Sequence, residues 1–471
     1  MYSQGNRIEG NALFRPIERP CAEAAKARLL ALSGALAPEV RSLRAAVRHV
    51  VIIASASRGG SSLLHEMLQR ADGLSFLQGE CNPAFAISGL TYPATGCDSE
   101  QLGAEHLGVR HRASTRLAVE LLDELLASEA GASANRLGTE EELERFARVL
   151  CWRLSAQWPC LEFDQRQVRV WMLDALAELE CRGGWQRGSF PDAQAFHLRF
   201  LARVRRHAPT VNPYYYDLPE LAVRRAFPEV EVPSGPPSEV FIEEPPFILA
   251  VPWRPLSEAE AAVKPLVLKA PSNAHRLEFL RSFFSRARLT IVHLTRNAAA
   301  SINGLIDGWL HHGFFSVRIP GGLRISGYSN SFERWGRDWW KFDLPPTWRL
   351  YSDRPLPEVC AEQWRAAHRA ILDFVRARSP GYVRIRFEDI VASETSRRAV
   401  FEQIAEYLGV PLCPGLARVV RQLPAPVMAT RAPSLGRWRA REGLIAPLVA
   451  DPTTAELMTS LGYDTTQHHW I

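Results

Sequence analysis

The chain has 471 residues, 46% of them hydrophobic, and 56 Lys and Arg against 51 Asp and Glu give a net charge of +5. Such a length can bury a large core, in two or three domains or in one domain with insertions. The charge is too mild to argue for nucleic acid or an anionic membrane as partner. No apolar run reaches the ~18 residues of a membrane span, and the N-terminus lacks the order of a signal peptide, so the expectation is a cytoplasmic protein without a span. Eight cysteines without a CxxC pair are expected to be reduced core residues, with no metal site and no disulfide framework.

In chain order, an N-terminal arm and an Ala- and Leu-rich helical stretch (22–47) precede an apolar strand at 49–55. The turn SASRGGSS then leads straight into an amphipathic helix. The first amides of such a helix have no intrahelical partner, and together with the helix dipole they make an anion site. Gly59 and Gly60 let the backbone approach an anion, Ser61 and Ser62 can donate hydroxyl hydrogen bonds, and Arg58 brings fixed charge. A nucleoside triphosphatase loop would read GxxxxGK[ST]. Here Ser55 stands where its first glycine belongs and Ser61 where its lysine belongs.

After a short apolar segment at 74–77, four stretches with apolar residues at i, i+3, i+4 predict helices at 114–128, 141–154, 167–180 and 195–207, read as one inserted module. Residues 208–265 are proline-rich around NPYYYDLPE, as a connector or a substrate-facing surface. From 265 strands and helices alternate: strand 265–269, helix 273–284, strand 288–294, helix 298–309. A polar loop follows at 311–331, then a helix at 358–378, a strand at 382–387 and a helix from 396 that ends at Gly409. This alternation predicts an α/β fold, a P-loop-like parallel sheet flanked by helices, with a large mainly helical insertion. The core is expected at 49–83 and 265–464, after an N-terminal arm at 1–48, with 84–264 as the insertion that shapes acceptor specificity. Ligands of such sheets bind beyond the carboxyl ends of strands. Arg296 ends one strand, with Asn297 predicted to cap the next helix and Ser301 in its second turn, so a second anion site is expected there. A basic loop, TRAPSLGRWRAREG, lies at 430–443.

Taken together these segments resemble the sulfotransferases that use 3′-phosphoadenosine 5′-phosphosulfate, closest in layout to the protein-tyrosine and bacterial small-molecule enzymes. SRGGSS at 57–62 is similar to their PRSGTT motif, HLTRNAAAS at 293–301 to their Arg-Asn strand end, and Arg431, Gly436, Trp438 and Arg439 to their RKGxxGxWK loop. LVLKAPSNAHRLEFL, RFEDIVA and LGYD are also similar to segments of the family. The resemblance implies that Arg58, Gly59, Gly60, Ser61 and Ser62 hold the 5′-phosphosulfate, and that Arg296, Ser301 and Arg431 hold the 3′-phosphate, with Gly436 and Trp438 in the late loop. The serine usual in the family lies eight residues after the arginine, at Gly304; Ser301 stands three positions earlier, on the same helix face, and is expected to point at the phosphate from one turn earlier.

Sulfuryl transfer needs charge stabilisation on the leaving oxygen, a task for Arg58 and for Lys269 at the end of the PLVLK strand, without a metal. Glu80 in SFLQGECNPAF resembles the glutamate that serves as base in the protein-tyrosine enzymes. The histidine that follows the strand lysine in cytosolic phenol sulfotransferases is replaced by Pro271. The expected reaction is transfer to a hydroxyl or an amine of a small molecule, carbohydrate or peptide. A nucleotide-dependent kinase on an altered loop and a non-catalytic nucleotide-binding scaffold remain as alternatives. His65 and Glu66 are expected on the helix surface or behind the site, and bland roles are expected for His275, His293, His311, His312, His468 and His469.

Overall fold

The computed structural model describes residues 19–33, 43–77, 79–127, 137–181, 188–235, 243, 245–314, 316–319, 321–332, 335–424, 426, 428–430 and 434–466. The predicted arm therefore lies largely outside the described residues, as do Arg431, His468 and His469.

The chain folds as an α/β protein around a sheet of six strands: β1 (His49–Ala54), β2 (Ser75–Leu77), β3 (Leu126–Ala127), β4 (Leu266–Lys269), β5 (Arg288–Thr295) and, after the hairpin strands β6 (Ser316–Arg318) and β7 (Trp339–Lys341), β8 (Gly381–Arg386). The order is β3-β2-β4-β1-β5-β8; β3 is antiparallel to β2 and the five other strands are parallel. β1 is central because it is apolar on both faces. Val50, Ile52 and Ala54 join one core with Leu266, Leu268 and Ile291, and Val51 and Ile53 join another with Val267, Val292 and Leu294.

Helices cover both faces. On the second face lie α1 (Ser61–Leu68), through Leu64 and Met67, and the helix at Glu394–Leu408, through Phe401 and Ile404. On the first lie the helices Ala298–Trp309 and Leu356–Arg378, through Ile302, Trp309 and Trp364. The inserted stretch has its own apolar core. It is built from α2 (Glu140–Gln157), α3 (Gln165–Cys181) and α4 (Ala193–His207), with Phe146, Trp171 and Phe200 at its centre. Tyr214, Tyr215 and Tyr216 of the proline-rich stretch are buried in that core, so they serve packing.

Several local expectations are corrected. The helix predicted at 273–284 is a 3₁₀ turn, Pro271–His275, and a separate helix, Leu277–Phe283. Arg276 stands at the break, fully buried, where it donates to Asn82 Oδ1 at 2.8 Å and pairs with Glu100 at 2.6 Å. The helix predicted at 114–128 ends at Leu125 and gives way to β3. The polar loop at 311–331 contains β6, which pairs with β7. Cys81, Cys151, Cys360 and Cys413 are buried as expected, but Cys97 is half-buried and Cys160 and Cys181 are exposed. No described helix is long and apolar enough to cross a membrane.

Candidate active site

The carboxyl ends of three adjacent strands meet at one place. β1 runs into the turn at 55–60, β4 ends at Lys269 beside Ile53, and β5 delivers Arg296 just beyond Thr295. Backbone conformation sets the turn: Arg58 and Gly60 both adopt left-handed geometry, with φ of 63° and 97°. A Cβ on Gly60 would sink into the Phe387 ring and come within 3.1 Å even of its Cγ. Only glycine meets both demands. Left-handed geometry at an arginine is strain of the kind that persists where a site over-determines it.

A cavity of about 540 Å³ opens over this point, and Arg58, Gly60, Ser61, Ser62, Glu80, Lys269, Arg296, Gly436 and Trp438 all line it. Gly59 does not; its amide is spent on Ala56 O at 3.0 Å behind the turn. Ser301 is also absent from the lining, fully buried with its hydroxyl 3.5 Å from Arg296 O. The helix it sits on, α5 (Ala298–Trp309), turns a different stripe to the cavity, Ala300, Asn303 and Gly304, and Ser301 lies about 100° round from Ala300. Asn297 caps α5 as predicted, accepting from Ala299 N at 2.8 Å.

Positive charge is concentrated at the mouth of the turn. Arg58 Nη1 donates to Met428 O at 2.8 Å, its guanidinium lies 4.6 Å over the Phe314 ring, and its buried Nε has no hydrogen-bond partner among the described residues. Burial, then the nearness of Arg296 and Arg437, pulls Arg58 down to about 10 against the opposing influence of Asp307. Arg296 donates to Arg58 O at 3.1 Å and stacks on Phe387 at 4.7 Å; burial lowers it while Glu388 holds it up. Glu388 in turn accepts from Asn297 N and Tyr463 Oη, both at 2.9 Å.

At the other side of the turn Lys269 Nζ is in direct contact with Glu80 Oε1, and Asn82 Nδ2 donates to Glu80 Oε2 across a longer 3.4 Å. Cys81 next to it is no nucleophile, since burial pushes its thiol up to about 12. His65 is half-buried against Phe76, and burial and Lys269 pull it down to about 3, so it is neutral at ordinary pH.

Three features escaped the sequence reading. Ser57 donates to Asp343 Oδ1 at 2.5 Å, and Asp343 Oδ2 lies 3.0 Å from His275 Nε2, so a fully buried chain anchors the turn to the segment after β7. Arg437 lines the cavity and pairs with Asp307 at 2.5 Å, and Arg441 holds the other oxygen at 2.7 Å. Arg153 of α2 pairs with Glu243 at 2.6 Å inside the same cavity. Only the four arginines of the late loop left a trace in the sequence; the other links join residues too far apart.

No family model matches the sequence, and no curated protein does. Among solved structures the chain is similar to the sulfotransferase domain from the curacin biosynthetic pathway, at 12% identity and a TM-score of 0.35, over 89% of this chain and 99% of that one. It is also similar to the sulfotransferase domain from the Synechococcus PCC 7002 olefin synthase, at 14% identity and a TM-score of 0.32, over 91% and 98%. Likeness at that level carries no conclusion about activity, which has to come from the cavity's own residues.

Proposed function

We propose that the protein is a sulfotransferase that moves a sulfuryl group from 3′-phosphoadenosine 5′-phosphosulfate to a hydroxyl group. The observation that carries this reading is the convergence, in one cavity, of a lysine-free phosphate turn, a separate arginine at the next strand end and a carboxylate–ammonium pair. Arg58, Arg296 and Arg437 crowd a buried region, and the buried Nε of Arg58 lacks a partner among the described residues. An anionic ligand with two phosphate-bearing ends fits that excess of charge. The amides at the start of α1 with Ser61 and Ser62 would hold the phosphosulfate end, and Arg296 the distal phosphate.

In the reaction the acceptor oxygen forms the new bond to sulfur. The bond from sulfur to the 5′-phosphate oxygen breaks, its electron pair staying on that oxygen, and the acceptor's proton passes to Glu80. Glu80 Oε2, held only by the long Asn82 contact among the described residues, is the oxygen with room for that proton. Lys269 and Arg58 oppose the charge that develops on the leaving oxygen, the kind of fixed electrostatic stabilisation that dominates such transfers.

Thermal unfolding with adenosine 3′,5′-diphosphate, compared with ATP and magnesium, tests the reading. The diphosphate at 100 times its Kd should add about 2.7 kcal/mol. Stabilisation by ATP and magnesium with none by the diphosphate would establish the kinase instead.

A further inference from the structure

Besides the charged groups, the cavity that holds Glu80 is lined by Trp152, Ile248, Pro83, Pro245, Pro246 and Pro271. Four of these six are prolines, which have no backbone N–H, and Trp152 and Ile248 add apolar surface. Arg153 and Glu243, which also line it, are committed to one another. Arg153 Nη1 donates to Glu243 Oε1 at 2.6 Å, Gln157 Nε2 donates to Oε2 at 3.1 Å, and Glu243 N donates to Ala156 O at 3.2 Å. The guanidinium lies so near the backbone before Glu80 that a Cβ on Gly79 would stand 3.3 Å from Arg153 Nη2.

Resting on the sulfotransferase reading, we propose that the acceptor is an apolar alcohol: a hydroxyl on a hydrocarbon or aromatic body, with no charge and no further polar groups near that hydroxyl. A sugar would turn its remaining hydroxyls to proline and isoleucine, each lost hydrogen bond costing affinity. A charged acceptor would have to break the buried Arg153–Glu243 pair, whose opposite charges cancel and attract neither sign. An apolar body gains from the same wall, and its hydroxyl would meet the Glu80–Lys269 ion pair, which lines the same cavity. Trp152 and Ile248, both supplied by the insertion at 84–264, are then the specificity-determining residues.

The test is formation of a dead-end complex, which needs no turnover. Protein loaded with adenosine 3′,5′-diphosphate is titrated with 2-naphthol, 1-decanol, methyl glucoside and a tyrosine-containing acidic peptide, with melting temperature and calorimetry as readouts. Expected are saturable binding of naphthol or decanol and at least tenfold weaker binding of the other two. In Trp152→Ala and in Ile248→Asp, binding of the apolar alcohol should fall at least tenfold while the nucleotide's own stabilisation is kept, which shows that the variants fold. Glucoside or peptide binding as tightly as the apolar alcohols, no binding of either alcohol, or indifference to both variants overturns the proposal. Loss of nucleotide stabilisation in the wild-type protein would instead overturn the sulfotransferase reading itself.

Discussion

Gly60→Ala strains the phosphate turn in two separable ways. The residue has φ of 97° and ψ of 10°, where an L side chain costs about 1–2 kcal/mol. The added methyl would also enter the Phe387 ring, and overpacking of that kind costs about 1–3 kcal/mol more. Together the substitution should destabilise by about 2–5 kcal/mol. Phe387→Ala in the same chain removes the collision and leaves the backbone strain. In a double-mutant cycle followed by urea unfolding, Gly60→Ala should therefore be milder by about 1–3 kcal/mol when Phe387 is already alanine. Because Phe387 also carries the Arg296 guanidinium at 4.7 Å, Phe387→Ala alone should weaken adenosine 3′,5′-diphosphate binding. Additivity within about 0.5 kcal/mol would refute the claim that the ring presses on the turn.

Glu80→Gln should keep nucleotide binding and lower kcat by about 10²–10⁴, as expected for loss of a general base; unchanged turnover with any accepted alcohol would remove Glu80 from the mechanism. Arg296→Ala should weaken adenosine 3′,5′-diphosphate by roughly 10- to 100-fold, the worth of a hydrogen bond to a charged group, as read by calorimetry; an unchanged Kd would free Arg296 from the distal phosphate. Lys341 is fully buried and donates to His311 O at 3.1 Å and Gly313 O at 2.5 Å, and burial lowers it from 10.5 to about 7. Between those pH values the unfolded chain holds a proton that the folded chain lacks, so this group makes stability rise with pH from 7 to 10.5 and adds no slope below 7. From pH 6 to pH 9 the rise is about 2–3 kcal/mol, and Lys341→Met should lack it. Parallel urea-derived stability profiles for the two proteins would show that Lys341 does not titrate there.

What the sequence disclosed about the fold was whatever one or two turns of chain decide. The unbroken apolar run Val50–Ala54 reads as a strand covered on both faces, and Gly59-Gly60 before Ser61 marks a helix start. The helix expected through 273–284 failed for a reason that periodicity cannot register. Arg276 looks like a surface arginine in the apolar pattern, but its partners Asn82 and Glu100 are 194 and 176 residues away, and burying it breaks the helix. The hairpin of β6 and β7 was equally hidden, since a three-residue strand gains its stability from its partner and has little pattern of its own.

The candidate site divides along the same line. Arg58, Lys269 and Arg296 were legible because each stands at or just after the end of a strand, and in a parallel sheet neighbouring strand ends are neighbours in space, whereas Glu80 was legible only through the family resemblance. Ser301 was chosen by type and by rough helix spacing, yet a rotation of one residue separates it from the stripe of Ala300, Asn303 and Gly304 that faces the cavity. Asp343 could not be found at all: its value to the turn lies in a 2.5 Å bond to Ser57 across 286 residues of chain. Long-range hydrogen bonds of the same kind fix the shape of the turn. Ser57 is fixed by Asp343, Arg58 by Met428 O and Arg296 by Arg58 O, so the strained φ at Arg58 is held from three distant segments at once. In the proposed reaction a turn held that way would be preorganised, which is the condition under which fixed charges stabilise a developing negative charge most effectively.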